Sequence, residues 1–337
     1  MSSSLLGRVA AVGVAVVVLA ACGTSSSGNS SQNGKPAGAD KTDIADWTDP
    51  RPASWTAKYP LFAPVKIGDG SLKRVQDSHR LLICAELKNP PISTVDPATG
   101  DVVGWDVDIA NAFAKGLGIA NVAYVNVPFA SIIPALQANK CDIDMDGIAI
   151  KSSRAQAPGI KYTTPYLLGG YDVLYVRSDS TVSKLADLKG KKIATQSATV
   201  DEASLQLYIG QLGGGITVHA YAGQPECVIA VVNKTDDACF LVPNATLAGQ
   251  YPQRIKMLAD QYAYVPPPEE AKLNPWCYAC EAIITKSADG DLNLAISLEL
   301  NKIRISGQIG AAVNKWRVSE VFNPPKDATF TFARQDA

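Results

Sequence analysis

The stretch from Cys141 to Arg154, CDIDMDGIAIKSSR, holds residue types that could bind a small ion. Asp142, Asp144 and Asp146 alternate with Ile143 and Met145, and this period of two predicts a strand with one apolar face. Gly147 permits close backbone approach, Ile148 to Ile150 extend the apolar run, and a polar turn then presents Arg154. A planar guanidinium can grip a carboxylate through two parallel N–H donors, which an ammonium cannot do. An arginine after a strand also suits a plain solvated surface, so the neighbouring elements must decide its role.

A second anion-binding feature lies further along. Thr199-Val200-Asp201-Glu202 has the spacing of a capping box, which fixes a helix start and leaves backbone N–H groups facing outward. Those donors and the helix dipole favour negative charge, so Ser197 to Thr199 could hold a carboxylate from the side opposite Arg154. The same pattern equally describes an ordinary capped helix. Glu86, Phe129 and the pair Asp146 and Gly147 all fall at or just after strand ends, and Gln196 and Asn244 complete the set of expected ligand contacts.

The elements that would position these residues alternate in type. RLLICAEL, VAYVNV and the Cys141 stretch predict strands, separated by helical spacing in WDVDIANAFAKGL and SIIPALQAN. Such alternation predicts a parallel, three-layer α/β sandwich, with ligands beyond the carboxyl ends of the strands. Thr164 to Gly170 reads as a crossing point, after which YDVLYV, KKIATQ and DACFLV give a second series of strands. Val265-Pro266-Pro267-Pro268 marks a second crossing before ACEAIIT and two closing helices. The expected organisation is one lobe at 71–166 plus 274–318, another at 170–268, and a tail at 319–337.

The N-terminal residues predict export. Arg8 precedes a run of small apolar residues too short for a stable membrane span, ending at Leu19-Ala20-Ala21-Cys22. This tetrapeptide resembles a lipobox, so 1–22 is expected to be a lipoprotein signal and Cys22 the lipidated residue. Residues 23–41 have almost no apolar side chains to repay ordering and are expected to form a flexible tether. The aromatic, proline-rich 42–70 is expected to pack on the first lobe as an extended segment. The net charge of -1 gives no reason to expect a nucleic-acid partner.

Six cysteines besides Cys22 permit three disulfides in an exported chain. Cys227 and Cys239 are expected to pair, because a short helix and turn can bring them together. Cys277-Tyr278-Ala279-Cys280 would need two further ligands to hold zinc, and the two histidines, His79 and His219, lack that spacing. No metal and no cofactor are expected.

Several blocks together resemble a known family. Gly104-Trp105-Asp106-Val107-Asp108-Ile109, Ile132-Ile133-Pro134-Ala135-Leu136, Asp142 to Arg154, Pro165-Tyr166, Asp187 to Lys192, Ser197-Ala198-Thr199 and Lys315-Trp316 are similar, in order and spacing, to the extracellular solute-binding proteins of polar amino-acid ABC transporters. The likeness runs from Ser71 to Val318 and implies the type II periplasmic-binding fold, two α/β lobes joined by two crossover strands around a ligand cleft. It implies that Arg154 and Thr199 hold a ligand carboxylate, Gly147 faces the amine, Phe129 stacks on the side chain and Glu86 makes a polar contact. Members usually place an ammonium-pairing aspartate where this chain has Val242 or Pro243, with Asn244 the nearest polar residue. A buried ammonium needs a counter-charge, so the resemblance implies either that Glu86 and Asp146 supply it or that the ligand is not an ordinary α-amino acid.

The expected function is a monomeric, lipid-anchored receptor at the extracytoplasmic face of the bacterial membrane. It would capture an amino acid or related carboxylate and deliver it to an ABC permease. The alternatives are a ligand sensor for a membrane signalling partner, which uses the same cleft, and a dehydratase-like enzyme with Glu86 and Asp146 as acid and base.

Overall fold

A computed structural model of the chain describes residues 67–155, 157–167, 170–264 and 279–316, all within one compact unit, Ala39–Ala337. The expected signal segment with Cys22, the tether, the extension up to residue 66, Cys277 and the tail at 319–337 lie outside the described residues.

The first lobe begins with α1 (Ser71–Asp77) and β1 (Arg80–Ala85). A small sheet follows, made of β2 (Lys88–Asn89), β3 (Ser93–Val95) and β4 (Val102–Val103). Next come α2 (Trp105–Gly116), β5 (Asn121–Asn126), α3 (Ile132–Gln137), β6 (Ile143–Asp144), the one-turn α4 (Ser152–Ala155) and β7 (Ile160–Tyr162). The second lobe runs through β8 (Tyr171–Arg177), β9 (Lys192–Gln196), α5 (Val200–Gln211), β10 (Thr217–Tyr221), α6 (Gln224–Val232), β11 (Ala238–Leu241), α7 (Ala245–Gly249) and β12 (Ile255–Ala263). The chain then returns to the first lobe through β13 (Ile284–Lys286), α8 (Gly290–Ile305) and α9 (Gln308–Lys315).

Each lobe is built on a five-stranded sheet, ordered β5-β1-β6-β13-β7 in the first and β10-β9-β11-β8-β12 in the second. In each sheet four strands run one way and one runs the other: β13 is antiparallel to β6 and β7, and β8 to β11 and β12. The wholly parallel sandwich expected from alternation is therefore corrected to mixed sheets. The reason is topological: β8 and β13 each arrive from the other lobe rather than by a crossover within their own sheet, the connection that makes successive strands parallel.

Apolar spacing explains the packing. Trp105, Ile109 and Phe113 lie four residues apart on one face of α2 and are buried with Leu81, Ile83, Leu292 and Ile296. Gly104 starts that helix at φ 148°, where an added Cβ would stand 2.0 Å from the Ile92 carbonyl oxygen, so only glycine fits. Leu174, Val176, Ile193, Leu205 and Phe240 form the corresponding core in the second lobe.

The strand expected across Cys141 to Ile150 is confined to Ile143–Asp144, and two of the three aspartates of its expected polar face are buried, Asp144 at 0% and Asp146 at 1% exposure. A central strand covered on both sides has no solvent face. Arg154 follows on α4.

The cysteine expectation is also corrected. Cys227 and Cys239 are free, buried thiols. Cys227, in the first turn of α6, donates to the Gly223 carbonyl at 3.3 Å and meets Cys239 of β11 as a hydrogen-bonding neighbour rather than a bonded one. The helix does bring the two together, but proximity is not a bond. A disulfide joins Cys84 to Cys141, with Cα atoms 5.7 Å apart, because β1 and β6 are parallel neighbours.

Candidate functional site

Tyr166 and Leu167 lie beside Glu281 where the lobes meet. Glu281 sits at this junction: its N–H donates to the Leu167 carbonyl at 3.0 Å, its carbonyl accepts from the Tyr166 N–H at 2.9 Å, and it bridges to Ala149. Beside it the lobes enclose a cavity of about 50 Å³, lined among others by Asp146, Arg154, Thr199, Asp201, Tyr264 and Glu281. A wider recess of about 290 Å³ lies on the flank of Arg154, with mostly apolar walls such as Phe129, Ile133 and Ile148. Acidic side chains from both lobes converge only on the smaller cavity, so we take it as the candidate site.

Arg154 bridges the lobes. One terminal nitrogen donates to the Ala149 carbonyl at 2.8 Å and the other crosses to the Ala198 carbonyl at 2.6 Å. Ala198 holds a left-handed φ of 64°, which turns its carbonyl toward the arginine. The guanidinium also lies 5.1 Å from the centre of the Phe129 ring, a cation–π contact.

Thr199 caps α5: its Oγ1 accepts from the Glu202 N–H at 3.1 Å and donates to the Gln196 carbonyl at 2.8 Å. The Glu202 carboxylate reaches the Ala198 N–H at 2.8 Å, one residue earlier than a strict capping box would place it.

Glu86 meets Gln196 across the cleft, with the amide Nε2 2.9 Å from the carboxylate. Burial, helped by the charge of Glu226, raises its carboxyl to about 7 despite the Gln196 hydrogen bond. Asn244 makes another crossing. Its Nδ2 donates to the Pro90 carbonyl, while its Oδ1 caps α7 by accepting from the Leu247 N–H at 2.8 Å.

Asp146 and Gly147 are held by the protein itself. The Asp146 oxygens accept from the Glu86 N–H at 3.0 Å and the Ser93 hydroxyl at 2.8 Å. The Gly147 N–H donates to Asp106 Oδ2 at 2.7 Å, and the Tyr166 hydroxyl donates to Asp106 Oδ1 at 2.8 Å. Gly147 holds a left-handed φ of 58°, and a side chain there would also press on Ile92.

The sequence profile of the bacterial extracellular solute-binding proteins, family 3, matches residues 81–319. The chain belongs to this family. ABC transporter arginine-binding protein 1 of Escherichia coli is 31% identical over 117 residues, which cover 35% of this chain and 46% of that protein. The chain spans about half the length of the curated relatives it matches. Among solved structures, an ancestral arginine-binding protein bound to arginine is 24% identical with a TM-score of 0.59, covering 71% of this chain and 98% of that one. The ancestral amino-acid-binding protein AncCDT-1, a precursor of cyclohexadienyl dehydratase, is 22% identical with a TM-score of 0.57, covering 73% and 98%. These likenesses show the type II periplasmic-binding fold.

In this family 3 chain, then, the structure brings Glu86, Gln196 and Asn244 into cross-lobe contacts and places Phe129, Asp146, Gly147, Arg154 and Thr199 on the cleft cavity. Sequence reasoning missed Asp201, Tyr264 and Glu281 as cavity residues, and missed the role of Asp106 in fixing Gly147. Asp201 had a signal, since it lies in the first turn of the capped helix whose start was singled out. Glu281 had none, because its neighbours Ala149 and Leu167 are remote in sequence. Val242 lines the cavity as an apolar wall and its carbonyl accepts from the Tyr175 hydroxyl at 2.7 Å.

Proposed function

We propose that this chain is the solute-binding component of an ABC importer, which captures an amino acid or related carboxylate-bearing polar solute by closure of its two lobes. The observation that carries this is Arg154, a guanidinium placed on the cavity between lobes and held by carbonyls from both sides. Carbonyl contacts orient the fork toward the cavity, where an arriving carboxylate can replace one of them with a charge-assisted pair. The α5 start at Thr199 lines the same cavity and adds the favourable end of a helix dipole. The names of the relatives support an amino acid as the solute.

In this proposal Cys22 carries the lipid anchor at the extracytoplasmic membrane face, and a permease receives the solute. The support is the Leu19-Ala20-Ala21-Cys22 lipobox followed by a serine-rich tether. Cys22→Ala should abolish membrane retention in fractionation. A thermal-shift screen over amino acids, amines, opines and carboxylates tests the ligand class. Stabilisation by a carboxylate-bearing solute supports it, and stabilisation by a neutral sugar alone contradicts it.

One observation favours a second reading, an enzyme of dehydratase type: Glu86, raised to about 7, could exchange a proton near neutral pH. Turnover of the bound solute by the purified protein would favour that reading, and unchanged solute would count against it.

A further inference from the structure

Glu86 follows β1 with its backbone fixed within the first lobe: its N–H donates to Asp146 Oδ2 at 3.0 Å and its carbonyl accepts from the Ser93 hydroxyl at 2.9 Å. The side chain crosses the cleft, where it is 7% exposed and meets two elements of the second lobe. Oε2 accepts from Gln196 Nε2, at the end of β9. Oε1 comes against Gly223, the residue before α6, where an added Cβ would stand 3.0 Å from it. Glu226, in the first turn of α6, brings its own Oε2 to 2.6 Å from that same Cβ position. Two carboxyl oxygens, one from each lobe, therefore converge on one point.

Like charges brought this close repel, and burial takes away the water that would screen them. Burial and the charge of Glu226 outweigh the Gln196 hydrogen bond and Lys88 of β2, and hold the Glu86 carboxyl at about 7. Asp146, the remaining neighbour, is another acid and gives no relief.

We propose that closing the cleft draws a proton onto Glu86, so that the closed, solute-holding form is favoured as the medium acidifies. This rests on the solute-receptor reading and deepens it by giving the same cleft a regulator. With the lobes apart, water replaces Gln196 and Glu226, and the carboxyl returns to the neighbourhood of its ordinary 4.5. The proton thus acts as a ligand of the closed form. It removes the repulsion from Glu226 and keeps the bond from Gln196, because a neutral carboxyl still offers an accepting oxygen. Glu86 is raised in the closed form, so the bias toward closure is complete below about pH 4.5 and is lost as pH rises through 7. Between pH 8 and pH 6 it amounts to about a tenfold gain in affinity.

Small-angle X-ray scattering of the solute-free protein reads closure directly, and calorimetry with L-arginine, whose own charge is constant over this range, reads affinity. Wild-type protein should be more compact at pH 6 than at pH 8, and its Kd for L-arginine about tenfold lower at pH 6. In Glu86→Gln, whose amide oxygen still accepts from Gln196, the change in compactness should vanish and the ratio of Kd values should fall below about twofold. Glu226→Gln should move the transition to lower pH, and it serves if Glu86→Gln does not fold. Wild-type protein that changes with pH in neither measurement, or variants that change as wild type does, overturn the proton linkage. If L-arginine does not bind, scattering decides. The receptor reading is judged by the thermal-shift screen: a protein stabilised by a carboxylate-bearing solute but indifferent to pH keeps that reading and loses the linkage, and pH-dependent closure in a protein that no solute stabilises does the reverse.

Discussion

Arg154 and Glu86 show how single side chains set the working range of the cleft. Arg154 donates to two carbonyls, one in each lobe, and in the proposed receptor the solute's carboxylate takes the place of one of them. Glu86 is the clearer case for pH. Its carboxyl is raised from 4.5 to about 7 in the folded protein, so the folded state holds a proton that the unfolded chain has lost. The stability linked to that proton is fully present below about pH 4.5 and is lost as pH rises through 7, to a total of about 3 kcal/mol. Glu86→Gln should remove this slope while its amide oxygen still accepts from Gln196. Urea unfolding at pH 5 and pH 8 checks this, and an undiminished loss of stability in the variant would assign the slope to other groups.

At the scale of elements, the staple between β1 and β6 holds the strand ends that carry Glu86 and Asp146. Cys84 and Cys141 are 57 residues apart in sequence, a loop whose closure contributes about 4 kcal/mol in the chain-entropy model. Replacing both with alanine should lower unfolding free energy by roughly that amount, and non-reducing peptide mapping should find the Cys84 peptide joined to that of Cys141. Cys227 and Cys239 should react with an alkylating reagent only after unfolding. Asn244→Ala removes both the α7 cap and the crossing to Pro90, and should cost about 1 kcal/mol of stability from the cap alone. Loss of closure without loss of stability would separate the two roles.

Much at this scale was legible in the sequence. Apolar alternation and helical spacing are local, so the α/β class, the capped start of α5 and the placing of Arg154 after a strand could be read directly. Strand direction could not, because β8 and β13 are oriented by the crossings between lobes rather than by their own residues. The cysteine pairing failed for a related reason: Cys227 and Cys239 do meet, but bonding depends on side-chain direction, which spacing does not carry. Glu281 was invisible because a buried acid becomes meaningful only once the lobes are folded around it.

For the whole molecule, the polar contacts that cross between the lobes include Glu86 with Gln196, Pro90 with Asn244 and Arg154 with Ala198. In the proposed receptor each contributes about 1 kcal/mol net, so that open and closed forms differ by an amount that one well-matched solute can tip by pairing with Arg154. The most direct test is isothermal calorimetry of the best solute from the screen with wild-type protein and Arg154→Ala. The account predicts a loss of about 2 to 5 kcal/mol, at least about 30-fold in Kd. Binding by Arg154→Ala within threefold of wild type would contradict it.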